Sequence, residues 1–275
     1  MEQCLLSYFI RNDELVNSCD FNPQVLEEGP GIYEVIRIIN GKPLFLDEHI
    51  QRFLNSATHE KFIIQLDATD IKLKIRELIE SNRLKSGNIR FQYIKHPEVG
   101  NLFILWPTVF HYPSASDTEN GVNLKSLFEI RENPHSKRTN LPVRHIADQM
   151  IDGKTVSEVL LINNDGLVTE GSRTNIFFVS KNELITPLAS LVLEGITRKK
   201  VIQAAAHINV KVKEEEILFN QLKYFKACFI CSTSKSVLPV RQIDQTIFQP
   251  KNHLIADLSV AYHKMVDEYL SRFNW

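Results

Sequence analysis

The chain carries only four cysteines in 275 residues, Cys4, Cys19, Cys228 and Cys231. That is too few, and too scattered, for a disulfide framework. Cys228 and Cys231 form a C-x-x-C, but they sit in the apolar run Ala227–Cys231, which reads as a buried strand rather than the helix opening that activates a redox thiol. No second pair is placed to complete a zinc site, so no metal is expected and the thiols read as small buried hydrophobes. Long apolar runs are also missing. No stretch approaches the roughly 18 residues that span a bilayer, and Met1–Leu6 lacks the basic region and apolar core of a secretory signal. The cytoplasm is the expected compartment, with no membrane partner. An excess of one charge is absent as well. Thirty-two basic residues face 33 acidic ones, for a net charge of −1, which leaves no electrostatic footprint for nucleic acid.

Apolar material is plentiful. Hydrophobic residues make up 43% and charged residues 24%, so a sizeable core can be buried and disorder is not indicated. The length allows one large domain or two modest ones. Tyr33–Ile39 and Lys42–Leu46 read as strands flanking Asn40-Gly41, a dipeptide suited to a type I′ turn. Asp47 is the expected N-cap of a helix to about His59, with Ile50, Phe53 and Leu54 on its apolar face. A second helix fits Asp67 to Ser81, followed by strands over Ile89–Ile94 and Leu102–Trp106. The polar, turn-rich segment His111–Gly121 is the expected linker. This divides the chain into a domain over 1–115, a linker over 116–121 and a larger domain over 122–275. In the latter, strands Val159–Ile162, Leu167-Val168, Ile176–Val179 and Leu184-Ile185 are separated by turns. Helices are expected from near Thr197 and from about Ala256 to Phe273. No internal repeat or low-complexity tract is present.

Four segments could carry chemistry. Leu193–Val201 has Gly195 and Thr197 ahead of an apolar-periodic helix, and amides at such a helix start make an anion site or simply a capped terminus. Cys231–Ser236 places hydroxyls and Lys235 on a turn, which reads either as a phosphate holder or as a solvated loop. Val168–Phe177 puts Glu170 on a tight polar loop between strands. Asn133–Pro142 places Lys137 ahead of a helix that Pro142 could open.

In this order the segments resemble the class IV aminotransferases, also called fold-type IV pyridoxal-phosphate enzymes. That family includes branched-chain aminotransferases, D-amino-acid aminotransferases and aminodeoxychorismate lyases. The resemblance runs from Gly31–Arg37 and Leu46–Phe53 through Lys137–Asn140, Glu170–Phe177 and Gly195–Arg198 to Ser232-Thr233 and Pro239-Val240, and so spans most of the chain. It implies an α+β fold of two domains, a smaller α/β domain followed by a larger one around a β-barrel-like sheet.

The resemblance also implies roles. Lys137 matches the lysine that forms the Schiff base with pyridoxal 5′-phosphate and then acts as base. Glu170 matches the carboxylate at the pyridine nitrogen, where a negative charge favours the protonated ring. Arg52 matches the phosphate-binding arginine, the amides of Ile196 and Thr197 match the rest of the phosphate cup, and Thr233 matches its threonine. Tyr33, Arg90, Lys95 and Ser234 match substrate-binding positions. Arg90 corresponds to the carboxylate-binding arginine of branched-chain enzymes, whereas Lys95 lies nearer the position used by D-amino-acid enzymes. Both could equally be ordinary solvent-facing strand residues. Leu141–Met150 departs from the Ala-rich helix of many relatives and puts the pocket wall in question. The implied reaction moves an amino group between an α-amino acid and a 2-keto acid, with a homodimer as the expected assembly. An aminodeoxychorismate lyase and a cofactor-binding homologue without useful turnover are the alternatives.

Overall fold

The computed structural model describes residues 2–275 and divides into two compact units. One comprises the chain up to His111 with Ser136–Asn140 and Glu268–Trp275; the other comprises Tyr112–His135 and Leu141–Asp267.

The first unit contains strands β1 (Tyr8–Arg11), β2 (Glu14–Asn17), β3 (Gly31–Ile39) and β4 (Lys42–Pro43), then helices α1 (Leu46–His59) and α2 (Ala68–Ser81), then β5 (Ser86–His96) and β6 (Gly100–Thr108). The strands form one sheet in the order β2-β1-β6-β5-β3-β4, antiparallel at every pair. Asn40 and Gly41 both take positive φ, 52° and 75°, which is the type I′ geometry expected of that dipeptide. Side chains alternate across the pleat. Ile32, Ile36 and Ile38 of β3, with Phe91 and Leu105, join one core with Ile50 and Phe53 of α1 and Ile71, Ile75 and Leu78 of α2. A second apolar cluster holds Phe9, Leu26, Ile94, Ile104 and Trp106.

The start of α1 differs from expectation. Asp47 lies in the first turn rather than at the cap. Phe45 occupies the N-cap position in the left-handed region (φ 52°) and gives no side-chain cap. The Leu46 amide instead donates to the Tyr269 hydroxyl at 2.9 Å, a partner 223 residues away in the chain. So distant a cap leaves no local sequence signal. Asp47 itself pairs with Lys72 of α2. By contrast α2 starts as expected, with Asp67 and Asp70 in a reciprocal capping box.

The second unit contains α3 (Ala115–Asn120), β7 (Val122–Phe128), α4 (Pro142–Met150), β8 (Glu158–Ile162), β9 (Val168–Gly171), β10 (Asn175–Ser180), β11 (Glu183–Pro187), α5 (Ile196–His207), β12 (Lys211–Glu215), β13 (Ala227–Ser232), β14 (Ser236–Ile243), β15 (Thr246–Ile247) and α6 (His253–Arg272), whose last turn belongs to the first unit. Part of the segment read as linker is thus a short helix, with Ser114 and Asp117 capping each other. The strands form a curled mixed sheet in the order β12-β11-β10-β13-β14-β7-β8-β9, with β15 paired to β14. The β11–β12, β14–β7 and β7–β8 pairs are parallel. Its core gathers Leu160, Ile176, Phe178, Cys228, Ile230 and Val240. Cys228 and Cys231 are buried free thiols. Burial pushes both up in pKa, Cys231 to about 12, which suits packing rather than reactivity. Among the described residues, no helix is long and apolar enough to cross a membrane.

Phe53 is fully buried and meets Phe91 edge-on at 4.9 Å between ring centroids. Phe53→Ala is expected to destabilise the protein by about 3–5 kcal/mol through lost burial and the cavity left behind, read as a lower urea midpoint.

Candidate active site

In the first unit the site is built on one buried carboxylate. Glu34 interrupts the apolar run of β3 and is 0% exposed. Helix α1 presents His49, Arg52 and Ser56 along one side, since residues three and four apart share a face. Arg52 grips Glu34 with two parallel bonds, Nε to Oε1 at 2.6 Å and Nη2 to Oε2 at 2.8 Å. His49 Nδ1 lies 2.8 Å from Glu34 Oε2. Burial alone would raise the Glu34 pKa, but Arg52, Lys137 and the His49 hydrogen bond outweigh it and hold the carboxyl well below its ordinary range. Burial pushes His49 the other way, down, against the pull of Glu34.

Lys137 is seated on the same elements. Its amide donates to Ser56 Oγ at 3.2 Å, and its carbonyl accepts from the Tyr33 amide at 3.0 Å. Ser56 Oγ in turn donates to the Arg52 carbonyl at 2.9 Å. Thr139 binds the Gly31 carbonyl through both its amide and its hydroxyl, at 2.9 and 3.2 Å. Residues 137–139 thus extend the sheet beside the start of β3. Only glycine permits this approach, because a Cβ on Gly31 would stand 2.8 Å from the Tyr93 carbonyl oxygen and 3.0 Å from Thr139 Oγ1. The Lys137 ammonium lies 5.0 Å from the centre of the Tyr33 ring, and the Arg90 guanidinium lies 4.3 Å from it. The fold therefore brings Tyr33, Arg90 and Lys137 together. Lys95, an odd number of residues from Arg90 on β5, points to the opposite face and is exposed.

In the second unit Glu170 lies near the end of β9, almost fully buried. Its Oε1 accepts from Arg131 Nη1 at 2.8 Å, and its Oε2 from the Leu193 amide at 3.1 Å and Asn175 Nδ2 at 3.5 Å. Burial still wins and raises the carboxyl above its ordinary value, although Arg131 and the Leu193 amide pull it down. Asn175 also donates to the Leu193 carbonyl at 2.9 Å. A Cβ on Gly195 would fall 2.1 Å from Asn175 Oδ1, so glycine is required where α5 opens. Gly195 brings no capping side chain. Ile196 and Thr197 are buried there, and the first amides of a helix have no acceptor within it. Thr233 and Ser234 sit half-buried on the β13–β14 turn. Lys235, on the same turn, is bound to the Ser157 carbonyl at 3.0 Å and lies 3.3 Å from Glu158 Oε2. Ser172 Oγ donates to the other Glu158 oxygen at 2.6 Å. The helix that departs from the family pattern, α4, buries Val143 and Ala147, and its Arg144 donates to the Ser172 carbonyl at 3.0 Å.

The structural roles of four residues escaped the sequence reading: Glu34, His49, Arg131 and Glu158. A carboxylate inside the apolar run Tyr33–Ile36 was the one available signal. Arg131 lies 39 residues from Glu170, a separation that no local pattern reveals.

These features define an α+β protein of two units, and comparison with known proteins names its class. The family model for class IV amino-transferases matches residues 31–243. The chain belongs to that family. It is 31% identical over 240 residues to a D-alanine aminotransferase of Bacillus licheniformis, covering 83% of this chain and 84% of that one. It is 29% identical over 244 residues to a probable branched-chain-amino-acid aminotransferase of Rickettsia typhi, covering 84% and 83%. In structure it is similar to a T.th. branched-chain amino acid aminotransferase solved with pyridoxamine 5′-phosphate, with a TM-score of 0.87, 23% identity and 99% of each chain covered. The chain is accordingly a class IV aminotransferase.

The Glu34 clamp sets a pH dependence. Because its folded pKa is depressed, Glu34 contributes stability above its ordinary value of 4.5, and that contribution is lost as pH falls through the lower folded value. Glu34→Gln is expected to lower stability by about 3 kcal/mol at neutral pH, since Arg52 loses its buried partner. It should also flatten the acid fall in Tm, measured by thermal melts from neutrality to acid pH.

Proposed function

We propose that the protein is a pyridoxal-phosphate-dependent aminotransferase that moves an amino group between an α-amino acid, of branched-chain or D-amino-acid type, and a 2-keto acid. The observation that carries this reading is the seat of Lys137. Its amine stands over Tyr33, and its charge acts on the same buried carboxylate that clamps Arg52. The residues fit the group. Arg52, held in one plane by Glu34, offers a guanidinium for the phosphate. In the second unit, the amides of Ile196 and Thr197 at the uncapped start of α5 and the Thr233 hydroxyl are donors of the kind a phosphate needs. Glu170 remains a buried carboxylate whose neighbours leave its burial cost incompletely offset, so a protonated ring nitrogen is a fitting further partner.

The bound cofactor supplies an electron sink for the bonding pair released at the substrate α-carbon. Lys137 Nζ would anchor the cofactor and would also be the group that takes and returns the proton of the substrate α-carbon. Glu34 and Ser56 act indirectly, by fixing Arg52 and the Lys137 backbone. The substrate carboxylate goes to Arg90, which shares the Tyr33 ring with Lys137, rather than to the exposed Lys95. Homodimeric assembly and a cytoplasmic setting belong to this reading, and family resemblance supports the first.

The test is the absorption spectrum of the purified protein with pyridoxal phosphate. A visible band is expected in the wild type and not in Lys137→Ala, with turnover lost by at least about a hundredfold. Activity that requires an added keto acid supports transfer, whereas pyruvate release without one indicates a lyase. No band in the wild type, or a band that survives in the variant, overturns the reading.

A further inference from the structure

The face of the first unit's sheet that carries Tyr33 also carries a built carboxylate site, already filled by the chain itself. Arg90 and Trp106 are register partners on β5 and β6, and Thr108 lies two residues further along the same face. The Arg90 guanidinium stacks on Tyr33 at 4.3 Å and lies 5.4 Å from the centre of the Trp106 ring. Its Nη2 donates to Gln92 Oε1 at 2.7 Å. Its Nη1 donates to Oε1 of Glu2, and the other Glu2 oxygen accepts from Thr108 Oγ1 at 2.9 Å. Each carboxylate oxygen thus has its own donor. The Arg90 side chain is 16% exposed and that of Glu2 31%.

We propose that Glu2 is a specificity-determining residue, an internal carboxylate that occupies the Arg90–Thr108 subsite and that a carboxylic-acid substrate must displace. This rests on the reading that Arg90 receives the substrate carboxylate. Three features argue for exchange rather than a permanent lock. Arg90 is held by two aromatic walls and Gln92 independently of Glu2, so it is preorganised for either carboxylate. Exchange replaces one charge-assisted pair with another of the same chemistry, so no buried guanidinium is left without an anion. Glu2 is the more exposed partner. As a tethered competitor, it acts at an effective concentration on the order of millimolar. Weak carboxylate ligands are thereby excluded, and only a ligand with contacts beyond its carboxylate wins the site. Lys137, on the same tyrosine ring, stands where a bound α-amino or α-keto acid would make such contacts.

The test is calorimetric titration of the purified protein with valerate, a monocarboxylate that needs no turnover. Glu2→Gln is expected to bind valerate at least about threefold more tightly than the wild type, as removal of a tethered competitor requires. Glu2→Ala should move in the same direction, and Arg90→Ala should abolish binding. The sign separates competition from support, because a Glu2 that merely positioned Arg90 would weaken binding when removed. Equal or weaker affinity in Glu2→Gln, or binding in neither protein, overturns the proposal. If that occurs while Arg90→Ala still lowers affinity, the Arg90 assignment stands alone. Undiminished binding by Arg90→Ala removes both.

Discussion

The organisation of the first unit's site depends on one ion pair, the buried contact between Glu34 and Arg52. A carboxylate with no exposure is costly to keep ionised unless cations and hydrogen bonds surround it. Here Arg52 supplies two bonds and His49 a third contact, while the Lys137 charge adds to the field. The pairing ties the centre of β3 to the middle of α1. Ser56, one turn beyond Arg52, then receives the Lys137 amide. The position of the lysine, the plane of the arginine and the packing of helix on strand thus share one electrostatic cause.

The second unit handles its buried carboxylates differently. Glu158 is held below its ordinary pKa because Lys235 and the Ser172 hydroxyl outweigh its burial. Glu170 has Arg131 and a backbone amide, and burial still raises it. The contrast separates two roles. Glu158 is a closed pair that ties the β13–β14 turn to β8, whereas the burial of Glu170 is incompletely offset by its neighbours, which supports the role proposed for it.

Glycine marks the places where backbone must come close. At Gly31 the 137–139 segment lies against β3, and at Gly195 the Asn175 amide group reaches the opening of α5. Both positions lie at the edges of elements that bear candidate site residues, so a Cβ there would clash with the Tyr93 carbonyl and Thr139 in one case and with Asn175 in the other. The same economy holds for Tyr33, whose single ring meets both Arg90 and Lys137.

Much of this was legible in the residues. Periodicity located α2, α5 and the strands β3 to β6, β8 to β11 and β13, because a period of two or 3.6 reports which face is buried; β7 and β12 were not read from the sequence. Asn40-Gly41 announced its turn through backbone sterics, and Pro142 announced the start of α4. The motif order marked the family, and with it Lys137, Arg52 and Glu170 as the residues proposed for its chemistry. Tertiary structure decided the partners. Only the fold shows that Arg52 is clamped by Glu34, that Arg131 lies on Glu170, that Lys235 pairs with Glu158, that Tyr269 caps α1 and that Glu2 sits on Arg90. The reason is physical. Local propensity and burial pattern are properties of short windows of chain, whereas an ion pair depends on which distant charges packing brings within about 3 Å of each other.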